Sequence, residues 1–262
     1  MSELLAIAAT AARTAAHLLR DARPEAIRDK GTPKDLVTEW DLRSEEAIRT
    51  VLAERTPGIP VLGEEGGDGG GASDAKRRWI VDPIDGTVNF AHGLPIWCIS
   101  IALATGNELE VGVVYAPRLG WWFEAAAGHG AFDATGTPLR VSAIDRLDRA
   151  LLASGFPYDM ATNPANNFAE WEHLQKVASA CRRCGSAALD LCMVAAGWFD
   201  GYWERQTKAW DIAAGALIVR EAGGRVTNTR GGAFDLYAED VLATNGAIHE
   251  GLVVELGRVR AP

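Results

Sequence analysis

Between residues 3 and 20 apolar side chains recur every three or four positions. Leu4, Leu5, Ala8, Ala11, Ala12, Ala15, Leu18 and Leu19 fall on one stripe, with Arg13 and Arg20 on other faces, which predicts an amphipathic helix. Pro24 breaks the pattern. Lys30-Gly-Thr-Pro33-Lys34-Asp35 reads as a loop and Leu36-Val37-Thr38 as a short strand. A second helical stripe (Leu42, Ala47, Ile48, Val51 and Leu52) follows Asp41, which takes the helix-start position. Pro57-Gly58 stops it, and Val61-Leu62-Gly63 then predicts a strand ending in Glu64-Glu65. Residues 66–72 hold five glycines, a surface loop by composition. With no Gly-Lys-Ser/Thr behind it, it is not a phosphate loop. Trp79-Ile80-Val81 reads as a buried strand. Pro83 cannot donate to a ladder, so that strand is expected to end near Asp82. Asp85-Gly86-Thr87 has the pattern of a cap and first helical turn.

Downstream, the runs Trp97–Thr105, Leu109–Ala116, Gly120–Ala127 and Ala131–Val141 are separated by Gly106-Asn107, Pro117 and Gly128, the spacing of an antiparallel meander. Trp121-Trp122 lies in it as sheet packing. The second half alternates strand and helix patterns: Ala150–Ser154, Ala165–Ala180, Ser186–Ala196, Phe199–Glu204, Trp210–Ala222, Arg225–Asn228, Val241–Thr244 and Ile248–Leu256. Gly223-Gly224 closes the helix before it. Such alternation implies a layered α/β half with active groups at strand ends. The formal seam falls at residue 146, giving an N-terminal α+β half (1–146) and a C-terminal α/β half (147–262) of one unit.

Composition narrows the function. The 262 residues are 48% hydrophobic and 23% charged, as in a globular chain able to bury a sizeable core. A net charge of −9 with no basic run argues against a nucleic-acid surface. Residues 86–107 carry no formal charge, but Asn89, His92, Gly93, Pro95 and Ser100 interrupt them, so no membrane span is expected. No secretory signal is visible in Met1–Arg13, and a cytoplasmic protein is expected. Cys98, Cys181, Cys184 and Cys192 suit a reducing compartment. Cys181-Arg-Arg-Cys184 lacks the second pair a zinc site needs, so a metal or redox role is not favoured.

Carboxylates gather at element ends: Asp41, Glu64-Glu65, Asp82 with Asp85, and Asp211 in Trp210-Asp211-Ile212-Ala213-Ala214-Gly215. Two acids three residues apart at a strand end can converge on one point. The unpaired amides of a following helix suit a phosphate. Dication ligands beside an anion cradle are the parts of metal-assisted phosphoryl chemistry, and bound dications would invert the acidic field that repels an anionic substrate. Each piece also has a plainer reading: Asp85 and Asp211 as caps, Glu64-Glu65 as a solvated strand end.

Taken together, Asp35-Leu-Val-Thr-Glu-Trp-Asp41, Glu64-Glu65, Asp82-Pro-Ile-Asp85-Gly-Thr-Val-Asn-Phe90, Trp210-Asp211-Ile-Ala-Ala-Gly and Glu221-Ala-Gly-Gly224 resemble the motifs of the inositol monophosphatase family, in order and over nearly the whole chain. The resemblance implies a layered α-β-α-β-α sandwich with an antiparallel N-terminal sheet and a mixed C-terminal sheet, a homodimer, sensitivity to lithium, and two to three Mg²⁺ ions per site. By motif, Glu64, Asp82 and the Ile84 carbonyl would hold a first ion. Asp82, Asp85 and Asp211 would hold a second, and Glu64 would touch a third. Asp41 and Thr87 resemble the pair that orients and deprotonates the attacking water. Gly86 and Thr87 amides would cradle phosphate. Gly185, Ser186, Ala187 and Glu204, with Asp211, would face the alcohol, and Lys30 and Lys34 sit in the loop that by resemblance closes over the site. His17, His92, His129, His173 and His249 match no catalytic position. The activity implied is hydrolysis of myo-inositol monophosphate. The alternatives are fructose 1,6-bisphosphate, histidinol phosphate or a 3′-phosphonucleotide as substrate, or a regulatory binding protein on the same fold. Val88 and Ala187-Ala-Leu-Asp190 lean toward inositol phosphate by family likeness.

Overall fold

A computed structural model describes residues 3–24, 27–30, 35–68 and 76–259. The expected Lys34 position and most of the glycine-rich 66–72 loop lie outside the described residues. The first helix, α1 (Glu3–Leu19), buries Leu5, Ala8, Ala11, Ala12, Ala15 and Leu19 of the stripe its periodicity predicts, whereas Leu18 is 42% exposed. A small hairpin pairs β1 (Ile27–Asp29) with β2 (Leu36–Thr38) antiparallel. Helix α2 (Glu39–Arg55) starts two residues ahead of Asp41. Thr38 is its N-cap, and Asp41 returns a bond from the first turn to the Thr38 amide at 2.8 Å, a capping box. Its buried face carries Asp41, Ser44 and Glu45 with Ile48 and Leu52, whereas Leu42 is 52% exposed. An apolar stripe could not find these polar residues, because they face the loops of the site.

Six strands follow in one sheet: β3 (Val61–Gly63), β4 (Arg77–Asp85), β5 (Cys98–Thr105), β6 (Glu108–Ala116), β7 (Trp121–Ala126) and β8 (Ala131–Asp133), in that spatial order. Pairing is antiparallel from β4 onward, but β3 runs parallel to β4 at the edge. The short helix α3 (Thr87–Ala91) links β4 to β5. Strand β4 does not stop at Asp82. It continues to Asp85 through a register shift, with Asp82 opposite Ser100 and Asp85 opposite Cys98. Pro83 is tolerated because it sits inside that bulge, where no ladder donor is required. Beyond Asp133 the predicted run to Val141 is a turn instead, with Asp133 accepting the Thr135 and Thr137 amides.

The second sheet has the order β10-β9-β11-β13-β12, formed by β9 (Leu151–Ser154), β10 (Ala180–Arg182), β11 (Gly201–Arg205), β12 (Arg225–Thr227) and β13 (Asp240–Thr244). The three strands β10, β9 and β11 are parallel, while β13 is antiparallel to both its neighbours, so the sheet is mixed. Helices α5 (Ala187–Ala195) and α6 (Ala209–Glu221) lie between the sheets and are buried almost all round. They touch so closely that a Cβ on Gly215 would sit 2.6 Å from that of Leu191. Helices α4 (Phe168–Val177) and α7 (His249–Arg258) cover the outer face through Leu174, Leu252 and Leu256. Helix α4 begins three residues later than its pattern predicts, because Asn163 and Asn166 accept the Ala165 and Phe168 amides in Asx turns. The layers thus run helix pair, six-stranded sheet, helix pair, five-stranded sheet, helix pair. The central apolar layer joins Ile80, Cys98 and Val114 of one sheet to Tyr202, Val226 and Ala243 of the other. No helix among the described residues is long and apolar enough to cross a membrane.

Candidate active site

The β4 bulge turns Asp82 and Asp85 toward the inter-sheet helices. Asp82 is 2% exposed, and its Oδ1 accepts the Ile84 amide at 3.0 Å. Asp85 reaches across to α5, accepting the Ser186 hydroxyl at 2.6 Å and the Ala188 amide at 2.7 Å. Its carboxylate therefore serves the start of α5, not that of α3, whose N-cap is Gly86 at φ 99°. Only a residue without a side chain sits easily there, and an added Cβ would also lie 3.0 Å from the Gly185 carbonyl.

Thr87 follows at the first position of α3. Its hydroxyl lies 2.9 Å from Asp41 Oδ1 and 3.1 Å from the Ile84 carbonyl. The other oxygen of Asp41 accepts the Thr38 amide and hydroxyl. Asp211, in the first turn of α6, accepts the Lys208 amide at 2.6 Å, so the capping reading holds for it, and it also lines the cavity described below. Glu64 meets Lys30 Nζ at 2.8 Å, and the same ammonium bonds Glu65.

Burial sets the electrostatics. It raises Asp82 well above the ordinary carboxylate range, and Glu64, Asp85 and Asp211 push it further. Asp211 is raised by burial and then by Asp85 and Glu64. Burial also lifts Glu64 to about 7, against the pull of Lys30. Asp85 is raised by burial and partly relieved by Ser186 and the α5 amides. Lys30 loses by burial but gains more from Glu64 and Glu65, and stays charged. Four carboxylates that repel one another, Asp82 and Asp85 buried and Glu64 and Asp211 half-buried at the cavity wall, offer all-oxygen donors that fit a hard dication such as Mg²⁺. Each accepts at least one internal donor, and among the described residues no three such side chains stand as a preformed cage.

A cavity of about 400 Å³ opens beside this cluster. Its lining includes Lys30, Glu64, Asp85, Gly86 and Asp211 together with Arg183, Gly185, Ser186, Ala187, Asp190 and Glu204. Asp41, Asp82, Ile84 and Thr87 are buried back from its surface. Glu204 is the penultimate residue of β11 and accepts the Tyr202 hydroxyl. Burial raises it to about 7, against the hydrogen bond from Tyr202 and the charge of Arg183. Room for its carboxylate depends on Gly155, where a Cβ would come within 2.1 Å of Oε2.

A model of the inositol monophosphatase family matches residues 1–260. The chain belongs to the inositol monophosphatase family. It is 44% identical to an inositol-1-monophosphatase of Synechocystis over 86% of this chain and 78% of that one. It is 42% identical to the Nus factor SuhB of Pasteurella multocida over 88% and 87%. The structure of inositol monophosphatase from Anabaena superposes with a TM-score of 0.89 at 39% identity, covering 98% of this chain and 96% of the other.

Within this family fold, Glu64, Asp85, Gly86, Gly185, Ser186, Ala187, Glu204 and Asp211 line one cavity, with Asp41, Asp82, Ile84 and Thr87 packed behind. Lys30 joins them. Asp190, at the end of the Ala187–Asp190 run, lines the cavity as well, and so do Arg183, Tyr158 and Lys208, which sequence reasoning passed over. Arg183 lay in view inside Cys181-Arg-Arg-Cys184, read only for its thiols. Those thiols are free, Cys181 on β10 and Cys184 beyond it, and burial raises them to about 11 and about 12. His249 is fully buried between Thr227 and Thr244 hydroxyls, and His173 pairs with Glu255.

Proposed function

We propose that this family phosphatase hydrolyses myo-inositol monophosphate with two to three Mg²⁺ ions per site. The observation that supports the reading is the convergence of carboxylates, Asp82 buried behind Glu64, Asp85 and Asp211, on a cavity that Glu204 also lines. Glu64, Asp82 and the Ile84 carbonyl would hold one ion, and Asp82, Asp85 and Asp211 would hold a second. When bound, Mg²⁺ activates water and stabilises the departing alkoxide. Thr87 accepts a hydrogen bond from the attacking water while its own hydroxyl donates to Asp41, so the proton leaves along water, Thr87 and Asp41. Burial raises Asp41 above the ordinary carboxylate range, against bonds from Thr38 and Thr87, which strengthens it as a proton acceptor. The Gly86 and Thr87 amides hold phosphate. Gly185, Ser186, Ala187 and Glu204, together with Asp211, set the alcohol in place.

The cavity volume is in the roughly 300–1,000 Å³ range of small-molecule sites and suits a polyol phosphate. The halves 1–146 and 147–262 work as one catalytic unit, in a cytoplasmic homodimer inhibited by lithium. Phosphate release from inositol 1-phosphate, fructose 1,6-bisphosphate, histidinol phosphate and a 3′-phosphonucleotide, each with and without Mg²⁺, tests the reading. Preference for any of the last three overturns the substrate assignment. The likeness to a Nus factor supports a second reading, a regulatory binding role on the same fold. Absence of turnover on all four substrates would favour it.

A further inference from the structure

We propose that Glu45 is a positioning residue that presets the turn carrying Glu64 for its cation. The inference rests on the Mg²⁺ reading above. Glu45 lies on the buried face of α2 and is 3% exposed. Its two carboxylate oxygens accept the two consecutive amides that follow Glu64. The Glu65 amide donates to Oε2 at 2.8 Å, and the Gly66 amide to Oε1 at 2.8 Å. Arg49, one helical turn on, donates to the same Oε1 at 2.7 Å and sends its remaining nitrogens to the Val61 and Gly67 carbonyls at 2.9 and 2.8 Å. The turn is closed from the other side by the Gly63 amide on the Gly67 carbonyl and the Glu64 amide on the Val81 carbonyl.

The sequence leaves space for this arrangement. A Cβ on Gly63 would fall 2.5 Å from the Glu45 carboxyl carbon, and one on Gly66 would fall 2.7 Å from Oε1. Helix α2 thus fixes the backbone on both sides of Glu64, so the ligand need not be ordered when the ion arrives. Groups that orient a ligand in this way cost about 10–100-fold in metal affinity when removed. Among the described residues Glu45 bonds Arg49 and the Glu65 and Gly66 amides, and neither Arg183 nor Glu204.

The test compares Glu45→Gln, Gly63→Ala and the exposed control Glu46→Gln with the parent. Mg²⁺ binding is read by calorimetry without substrate, alongside amide hydrogen exchange of residues 64–67 in metal-free protein. Glu45→Gln replaces one acceptor by an amide donor, and Gly63→Ala displaces the carboxylate while keeping its charge. Both are expected to weaken Mg²⁺ binding by about tenfold or more and to speed exchange at Glu65 and Gly66. With Mg²⁺ saturating, KM for inositol phosphate is expected to stay within about twofold. A merely structural loss would move KM and Mg²⁺ affinity together, and that result overturns the proposal. Equal Mg²⁺ affinity in parent and variants also overturns it. If neither variant folds, exchange in the parent decides: protected Glu65 and Gly66 amides support the proposal, and unprotected ones refute it. A parent that binds no Mg²⁺ overturns the metal reading along with this one, an outcome distinct from equal binding.

Discussion

Replacing Glu204 by Gln separates selection of the alcohol from the chemistry. Tyr202 donates its hydroxyl to Glu204 Oε2, leaving Oε1 for the substrate. In the Gln variant the carbonyl oxygen takes the Tyr202 bond, and the amide nitrogen faces the polyol, so the cavity loses an acceptor as well as a charge. A charge-assisted hydrogen bond contributes roughly 1.5–3 kcal/mol, so kcat/KM for inositol 1-phosphate is expected to fall by about ten- to a hundredfold. Because burial raises Glu204 to about 7, the loss depends on pH. The carboxylate is about nine-tenths ionised at pH 8 and about one-tenth at pH 6, so the variant is expected to fall furthest behind at the alkaline end. p-Nitrophenyl phosphate has no ring hydroxyls to offer, so its hydrolysis is expected to change little. Measuring both substrates from pH 6 to 8 gives the ratio of losses. Equal losses would move Glu204 into support of the metal cluster, and no loss on either substrate would remove it from recognition altogether.

Other perturbations probe the remaining parts. Asp82→Asn is expected to abolish Mg²⁺-dependent turnover with the fold retained by circular dichroism. Activity within about tenfold of the parent, a barrier change of only ~1.4 kcal/mol, would rule out a bridging role. Lithium chloride at roughly 50 mM is expected to slow steady-state turnover relative to NaCl and KCl, since Asp82, Asp85 and Asp211 offer oxygen ligands open to a small cation. Gly155→Ala forces its Cβ onto the Glu204 carboxylate, 2.1 Å from Oε2, and is expected to raise KM for inositol phosphate while sparing p-nitrophenyl phosphate.

The elements that could be read from the chain are those where one physical pattern dominates. Helix α1 shows its apolar stripe, and the meander from Cys98 to Ala126 shows its turns. The places where prediction and structure part are those where polar contacts from distant residues decide. Leu42 is exposed because Asp41, Ser44 and Glu45 take the inner face of α2, each with a partner elsewhere: Thr87 for Asp41, the Pro83 carbonyl for Ser44, and the Glu65 and Gly66 amides for Glu45. Asp85 reads as a local cap, yet its partners are about a hundred residues away at Ser186 and Ala188. Strand β4 passes Pro83 because a bulge removes the need for its missing donor. Family motifs mark the acids themselves. Arg183 and Tyr158 carry no local signal, since only the tertiary fold brings them to the cavity.

The concentration of carboxylates that supports chemistry also makes stability depend on pH and on metal. Glu64 and Glu204 titrate at about 7 in the folded protein, from ordinary values of 4.5, chiefly because they are buried. Asp82, Asp85 and Asp211 are raised in the same direction. Between pH 5 and 7 the native state therefore binds more protons than the unfolded chain, and stability declines as pH rises. The contribution is fully present below the unfolded pKa and lost as pH passes the folded one. Metal-free protein in EDTA is expected to melt at a lower temperature at pH 8 than at pH 5.5. Mg²⁺ competes with protons for Glu64, Asp82, Asp85 and Asp211, so its effect runs the opposite way. At a hundred times its Kd it adds about 2.7 kcal/mol, which for a chain of this length is a rise of roughly 5–10 °C. That rise is expected at pH 8 and to shrink at pH 5.5, where protons already neutralise the cluster. Glu204 lies outside the ligand set, so Glu204→Gln removes its share of the pH slope and leaves the Mg²⁺ gain intact. A melting temperature flat with pH in EDTA, or a Mg²⁺ gain that does not grow with pH, would contradict the assignment of these acids as a buried, cation-seeking group.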